Sequence, residues 1–153
     1  DVPLGTGGAI LNAIRVKGLS GSFFVFNSDT WLNDGYSRLV SSDVNSLATT
    51  MIDDAGRYGK LSVRRNMIIK FSEKSKSIQK GLINAGAYHL EASIFAEFVE
   101  GDYISLERDI FPSLAKTWML SSVELFDIFI DIGVPQDYYK FCKWAETEKL
   151  FEN

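Results

Sequence analysis

The sequence predicts a single α/β domain built around a covered, parallel-type sheet. Three observations carry that prediction. The chain has 153 residues, 46% hydrophobic and 24% charged, enough for one conventional core and too few for two comfortable domains. Two apolar runs, Phe23-Phe24-Val25-Phe26 and Phe126 to Ile132, are too short for helices and suit strands buried on both faces. Helical patterns stand near both ends. No internal repeat, low-complexity tract or linker divides the chain.

In chain order, Gly5-Thr6-Gly7-Gly8 is a glycine-rich turn opening a helix whose stripe is Ile10, Leu11 and Ile14. The Phe23–Phe26 strand follows the Gly18–Gly21 break and stops at Asn27-Ser28-Asp29. Asp34-Gly35 reads as a turn and Tyr36 to Val40 as a short helix. Ser46 to Ile52 and Lys60 to Phe71 read as strands, joined by a turn over Asp53–Gly59. Ser72 to Gly81 is a polar, lysine-rich loop. Leu82 to Leu90 is extended, and Glu91 to Val99 is helical with Ile94, Phe95 and Phe98 inward. Ser105 caps a helix carrying Leu106, Ile110 and Leu114, which Pro112 weakens. Pro135 opens the last helix, with Tyr138, Phe141, Cys142 and Ala145 on its inner face.

Composition excludes several classes of function. Lys plus Arg is 16 against Asp plus Glu 20, a net charge of −4, which argues against a nucleic-acid binder or an anionic-membrane binder. One cysteine, Cys142, permits no disulfide within the chain and no cysteine zinc cluster, and fits a reducing, cytoplasmic setting. A single histidine, His89, excludes two-histidine metal motifs; it sits in an apolar stretch with no evident nucleophile and reads as structural. No apolar run approaches a membrane span. The opening Asp1-Val2-Pro3-Leu4-Gly5 has neither an initiator Met nor a signal-like pattern, so the chain reads as a piece that starts in mid-fold.

Two carboxylates stand out. Asp29 lies just past an apolar strand, where open α/β sheets bind ligands, and Asp131 interrupts Phe129-Ile130-Asp131-Ile132. A carboxylate beside such a run needs a partner. Either a divalent cation supplies it, or each Asp caps a turn or pairs with Lys or Arg. The Gly5–Gly8 turn either lets a ligand approach free backbone N–H groups or is a simple tight turn. It matches neither the P-loop nor the dinucleotide fingerprint. Cys142 reads as core, and Lys74, after Glu73, stands apart from the other, solvated lysines.

Leu4-Gly5-Thr6-Gly7-Gly8-Ala9, Phe26-Asn27-Ser28-Asp29-Thr30, Glu73-Lys74, Ile83-Asn84-Ala85-Gly86-Ala87-Tyr88 and Asp131-Ile132-Gly133-Val134-Pro135-Gln136-Asp137-Tyr138 occur in that order. This set resembles the sugar-1-phosphate nucleotidyltransferase family, and within it the heptose-1-phosphate and mannose-1-phosphate guanylyltransferases. Ser105 to Pro112 supports membership. The resemblance implies a Rossmann-like three-layer α/β/α fold with a mixed, mostly parallel sheet, of the nucleotide-diphospho-sugar transferase type, with its N-terminal part missing. It implies transfer of a nucleotide from an NTP, GTP first, to a sugar 1-phosphate, heptose first, giving a GDP-sugar for bacterial surface polysaccharide. Asp29 and Asp131 would hold Mg²⁺. Gly5, Gly7 and Gly8 would border the base and ribose. Tyr58, Gly59, Glu73 and Asn84 would line the sugar pocket, and Lys74 would approach the sugar phosphate.

Ser28 stands where the family commonly has Gly, and Ser75 where Pro is usual. The opening strand, its Gly-x-Gly-Thr-Arg-type phosphate loop and a following Lys are not found before Asp1. The expectation is that residues 1–153 are the C-terminal portion of one catalytic domain and turn over poorly alone. Another copy or the missing segment would complete the sheet. The reading from another class is a non-catalytic sugar-nucleotide binder that regulates or scaffolds a partner.

Overall fold

The computed structural model describes residues 3–32, 36–72, 78–126 and 129–148. The glycine-rich opening forms helix α1 (Gly5–Lys17), closed by Gly18 in the left-handed region at φ 62°, the conformation glycine adopts most readily at a helix end. Then come strands β1 (Ser22–Phe26) and β2 (Thr30–Trp31), helix α2 (Tyr36–Val40) and strand β3 (Ser46–Ile52). A hairpin of β4 (Lys60–Arg64) and β5 (Met67–Ser72) leads to the long β6 (Gly81–Glu91). A 3₁₀ turn (Ala92–Phe95) and a π-helical turn (Leu106–Ile110) precede α3 (Phe111–Lys116). Strands β7 (Ser121–Leu125) and β8 (Ile130–Asp131) and helix α4 (Pro135–Thr147) complete the order.

Six strands form one mixed sheet in the order β1-β6-β3-β7-β5-β4, and β2 and β8 form a separate two-stranded ribbon. Strand alternation sends neighbouring side chains to opposite faces. Leu47, Tyr88 and Leu90 therefore pack with Ile10 and Leu11 of α1 and Phe111 and Leu114 of α3. Ala48, Ala85 and Ala87 pack on the other face with Leu39 of α2 and Leu125. Helices thus cover both faces, which is the expected three-layer arrangement. α1 approaches closely enough that a Cβ on Gly7 would lie 2.7 Å from Ile104 Cγ2, so glycine is what permits this contact. No helix among the described residues is long and apolar enough to cross a membrane.

Several local expectations are corrected. The sheet is mixed as expected, but among the described strands only β3 and β7 pair in parallel within it. The Phe23–Phe26 run is not buried on both faces: β1 is an edge strand, with Phe24 39% and Phe26 46% exposed. Phe23 and Val25 face the larger core, while Phe24 stacks on His89 and Phe26 meets the Tyr36 edge. The strand placed over Phe126–Ile132 is only Ile130–Asp131 within the described residues, and the sheet strand lies earlier, at Ser121–Leu125.

Lys60–Phe71 is a hairpin, turned at Arg65 and Asn66 with φ of 51° and 63°. The helix expected over Glu91–Val99 shrinks to one 3₁₀ turn, although Phe95 is buried as expected. Pro112 does not break its helix because it sits in the first turn of α3, where no N–H is needed. In α4 the buried residues are Asp137 and Ala145, and Tyr138 is half exposed. The Asp34-Gly35 turn lies outside the described residues.

Candidate active site

A cleft of about 550 Å³ opens where β1 ends, beside the register shift between β3 and β6. It is lined by Asn27, Asp29 and Thr30, by Tyr58 to Leu61, by Asn84, Gly86 and Glu107, and by Phe129 and Asp131. Four of the residues expected at a sugar-phosphate site, other than the metal pair, were Tyr58, Gly59, Glu73 and Asn84; the cleft gathers Tyr58, Gly59 and Asn84 beside Asp29 and Asp131. Glu73 and Lys74 lie outside the described residues.

The two acids meet because the ribbon aligns them. Thr30 pairs with Asp131 and Trp31 with Ile130, and the Ile132 N–H donates to the Asp29 carbonyl at 2.8 Å. A Cβ built on Gly133 would lie 3.0 Å from Asp131 Oδ1 and 3.1 Å from Asp29 Oδ2. Those oxygens are therefore at most about 6 Å apart, a gap that one hydrated divalent ion can span. The Gly133 N–H donates to Asp131 Oδ1 at 3.0 Å. The Tyr58 hydroxyl donates to the same carboxylate, and burial first, then this bond, push the phenol pKa upward. Arg57 stands beyond, with Nη2 3.6 Å from Asp131 Oδ2 and Nη1 2.7 Å from Asp137 Oδ2. Asp131 thus has the turn-capping bond and the basic neighbour of one alternative, and it stands close to a second acid.

Within the lining, β6 carries an irregularity: its register against β3 shifts between Leu47 and Thr49. Gly86 lies there at φ 74°, and its N–H donates to Asn84 Oδ1 at 2.8 Å. The Asn27 N–H donates to the Gly86 carbonyl at 2.8 Å. Asn84 Nδ2 donates to the Tyr88 hydroxyl at 3.0 Å and to Glu107 Oε1 at 3.2 Å. Asn84 therefore braces the bulge through its Oδ1 and spends its amide donors on Tyr88 and Glu107, which leaves the second lone pair of Oδ1 as an acceptor for the cleft. Glu107, exposed in the cleft, adds acceptor oxygens suited to hydroxyl groups.

A Cβ on Gly86 would lie 2.8 Å from Asn27 Nδ2 and 3.0 Å from Thr30 Oγ1. Gly86→Ala is expected to cost about 1–3 kcal/mol from left-handed strain and displacement of Asn27. Urea denaturation checks this, and a loss below about 0.5 kcal/mol would show that the bulge tolerates a side chain.

Gly5, Gly7 and Gly8 stand away from this lining. The N–H groups of Gly7 and Gly8 donate to the Ile104 carbonyl at 2.8 and 3.2 Å, so these two are not free for a ligand. Cys142 is partly buried on α4, and His89 is buried with Nδ1 3.2 Å from the Ser42 carbonyl, a structural setting as expected. Arg57, Glu107 and Asp137 were not singled out by sequence. Arg57 is one residue from Tyr58, and Glu107 and Asp137 lie inside quoted motifs, which is the only signal that could have found them.

A family model described as nucleotidyl transferase matches residues 1–148. The chain belongs to the nucleotidyl transferase family. It is 37% identical over 141 residues to a D-glycero-alpha-D-manno-heptose 1-phosphate guanylyltransferase of Campylobacter jejuni, covering 91% of this chain and 62% of that protein. It is 30% identical over 143 residues to the mannose-1-phosphate guanylyltransferase catalytic subunit beta of Drosophila melanogaster, covering 89% and 38%.

The crystal structure of HddC from Yersinia pseudotuberculosis superposes with a TM-score of 0.77 at 33% identity, covering 94% of this chain and 64% of that one. HddC has also been solved in complex with GMP-PN. The chain thus spans less than two thirds of the length of each of these nucleotidyl transferase relatives. The expected fold type and family resemblance are borne out.

Proposed function

We propose that this chain forms part of a sugar-1-phosphate guanylyltransferase, with GTP and D-glycero-alpha-D-manno-heptose 1-phosphate as substrates, and a GDP-sugar for surface polysaccharide and pyrophosphate as products. The observation that carries the reading is the convergence of Asp29 and Asp131 on one cleft also lined by Tyr58, Gly59 and Asn84. The similarity to the Campylobacter heptose enzyme supports this sugar, and the Drosophila relative keeps mannose 1-phosphate as the second choice.

Two hard carboxylate oxygens within about 6 Å of each other suit Mg²⁺, which commonly takes one or two carboxylates and fills its other positions with water and substrate phosphate. Among the described residues no third acid, His or Cys joins them to form an all-protein cage. When bound, Mg²⁺ would supply charge neutralisation to the phosphates. Asp29 and Asp131 would hold it. A sugar-phosphate oxygen would attack the nucleotide α-phosphorus in line and pyrophosphate would leave, with no covalent enzyme intermediate.

The chain's contribution is positioning. Asn84 and Glu107 offer acceptors to sugar hydroxyls, and Tyr58 fixes the Asp131 carboxylate while its ring, edge-on to Phe129, narrows the cleft. Glu73 would be a further hydroxyl acceptor and Lys74 would approach the sugar phosphate. Gly5, Gly7 and Gly8 keep their place beside the nucleotide as packing residues that let the α1 backbone come close.

The full gene product, given GTP and heptose 1-phosphate, is expected to release pyrophosphate only with a divalent cation present. Pyrophosphate release unchanged by EDTA, or nucleotide-sugar binding with no release from any sugar 1-phosphate, would favour the non-catalytic binder.

A further inference from the structure

Arg57 is shared unequally between two acids. Its Nη1 makes a 2.7 Å hydrogen bond to Asp137, whereas its Nη2 stands 3.6 Å from Asp131, an ionic contact beyond hydrogen-bond length. The anchor is well fixed. Asp137 lies in the first turn of α4, where the helix end favours an acid, and its other oxygen accepts from Lys140 Nζ at 2.8 Å. Its side chain is only 12% exposed, and the bonds from Lys140 and then Arg57 hold its carboxyl below the usual range. Asp131 accepts from the Gly133 N–H at Oδ1 and from Tyr58, and its Oδ2 faces a guanidinium that it does not bond.

We infer that Asp137 is a positioning residue that holds the Arg57 guanidinium off Asp131 and so keeps an Asp131 oxygen open to the divalent cation of the cleft. This rests on the cation-binding role proposed for Asp29 and Asp131. Arg57 carries the same charge sign as the cation it adjoins. Released from Asp137, its planar fork can close on Asp131 in the paired geometry that carboxylates favour. Removing the fork altogether takes away both the competitor and a repulsive charge.

The two substitutions therefore act in opposite directions. Mn²⁺ binding to the full chain without substrate, read by water-proton relaxation, gives the test with no reliance on turnover. Arg57→Gln is expected to tighten Mn²⁺ and Asp137→Asn to weaken it, each on the order of three- to tenfold for a unit charge at this range. In the double variant the Asp137→Asn loss should largely vanish, because no guanidinium remains to be released.

A double-mutant cycle separates this from simple charge removal. Equal weakening by Asp137→Asn with and without Arg57 would overturn the inference, as would a structural loss that Arg57→Gln does not relieve. Should Asp137→Asn fail to fold, the half-exposed Arg57→Gln alone decides, and an unchanged or weakened Mn²⁺ affinity overturns the idea. Asp29→Asn is the control for the underlying reading. If it leaves Mn²⁺ binding intact, the cation site itself is misassigned. If it abolishes binding while the cycle is additive, only the role of Asp137 fails.

Discussion

Asp29→Asn in the full gene product is expected to lower divalent-dependent pyrophosphate release by about 10²–10³-fold, the scale of several kcal/mol of lost charge stabilisation. The amide keeps the shape of the side chain and removes one of the two anionic groups facing the gap beside Gly133. Folding should not suffer. Removing one of two like charges a few ångströms apart relieves repulsion, so the melting temperature is expected to stay level or rise. Activity and thermal unfolding measured on the same preparation provide the check. Turnover within tenfold of the parent, in a protein that melts normally, would remove Asp29 from the cation site.

The largest stability effect is expected at Phe111. It is fully buried, with ring centroids 5.9 Å from Phe71 and 5.4 Å from Tyr88. Truncation to Ala removes the ring that joins α3 to β5 and β6, and such losses cost about 3–5 kcal/mol. Natural domains have about 5–15 kcal/mol in total, so the variant should unfold at much lower urea. Phe71 also lines the cleft, so the loosened ring should weaken substrate binding before the chain unfolds. Denaturant midpoints for Phe111→Ala and Phe111→Leu would test this, and a loss under about 1 kcal/mol for Ala would show that the cavity collapses.

Much of this was legible in the residues. Asp29 and Asp131 announced themselves as acids set against apolar runs, the Ile83–Tyr88 motif brought Asn84, and the family resemblance brought Tyr58 and Gly59. Tyr36–Val40 and Ser46–Ile52 appear with the bounds expected of them. What escaped has physical causes. Ser-Ser-Val-Glu-Leu, the parallel neighbour of β3, has too few apolar residues to signal a strand, because its pairing partners rather than its own side chains define it. Phe23–Phe26 looked doubly buried because an edge strand with aromatic residues on both faces has the same letters as an interior one. The Arg65-Asn66 turn contains no glycine to announce its positive φ. Arg57 and Asp137, 80 positions apart, are joined only by the folded chain.

The β2–β8 ribbon has one more consequence. The spacing of Asp29 and Asp131 is inherited from a backbone ladder, whereas the walls that would read a sugar consist of side chains from β6, the Tyr58 turn and the Glu107 segment. Tyr58 links the two, because its hydroxyl bonds to Asp131 while its ring lines the same cleft. Substitutions in β6 or the Glu107 segment would recut the lining and leave the ladder intact, whereas a change at Tyr58 would also release the Asp131 carboxylate. An insertion in either short strand, by contrast, would slide the ladder by one step and turn one acid away from the other.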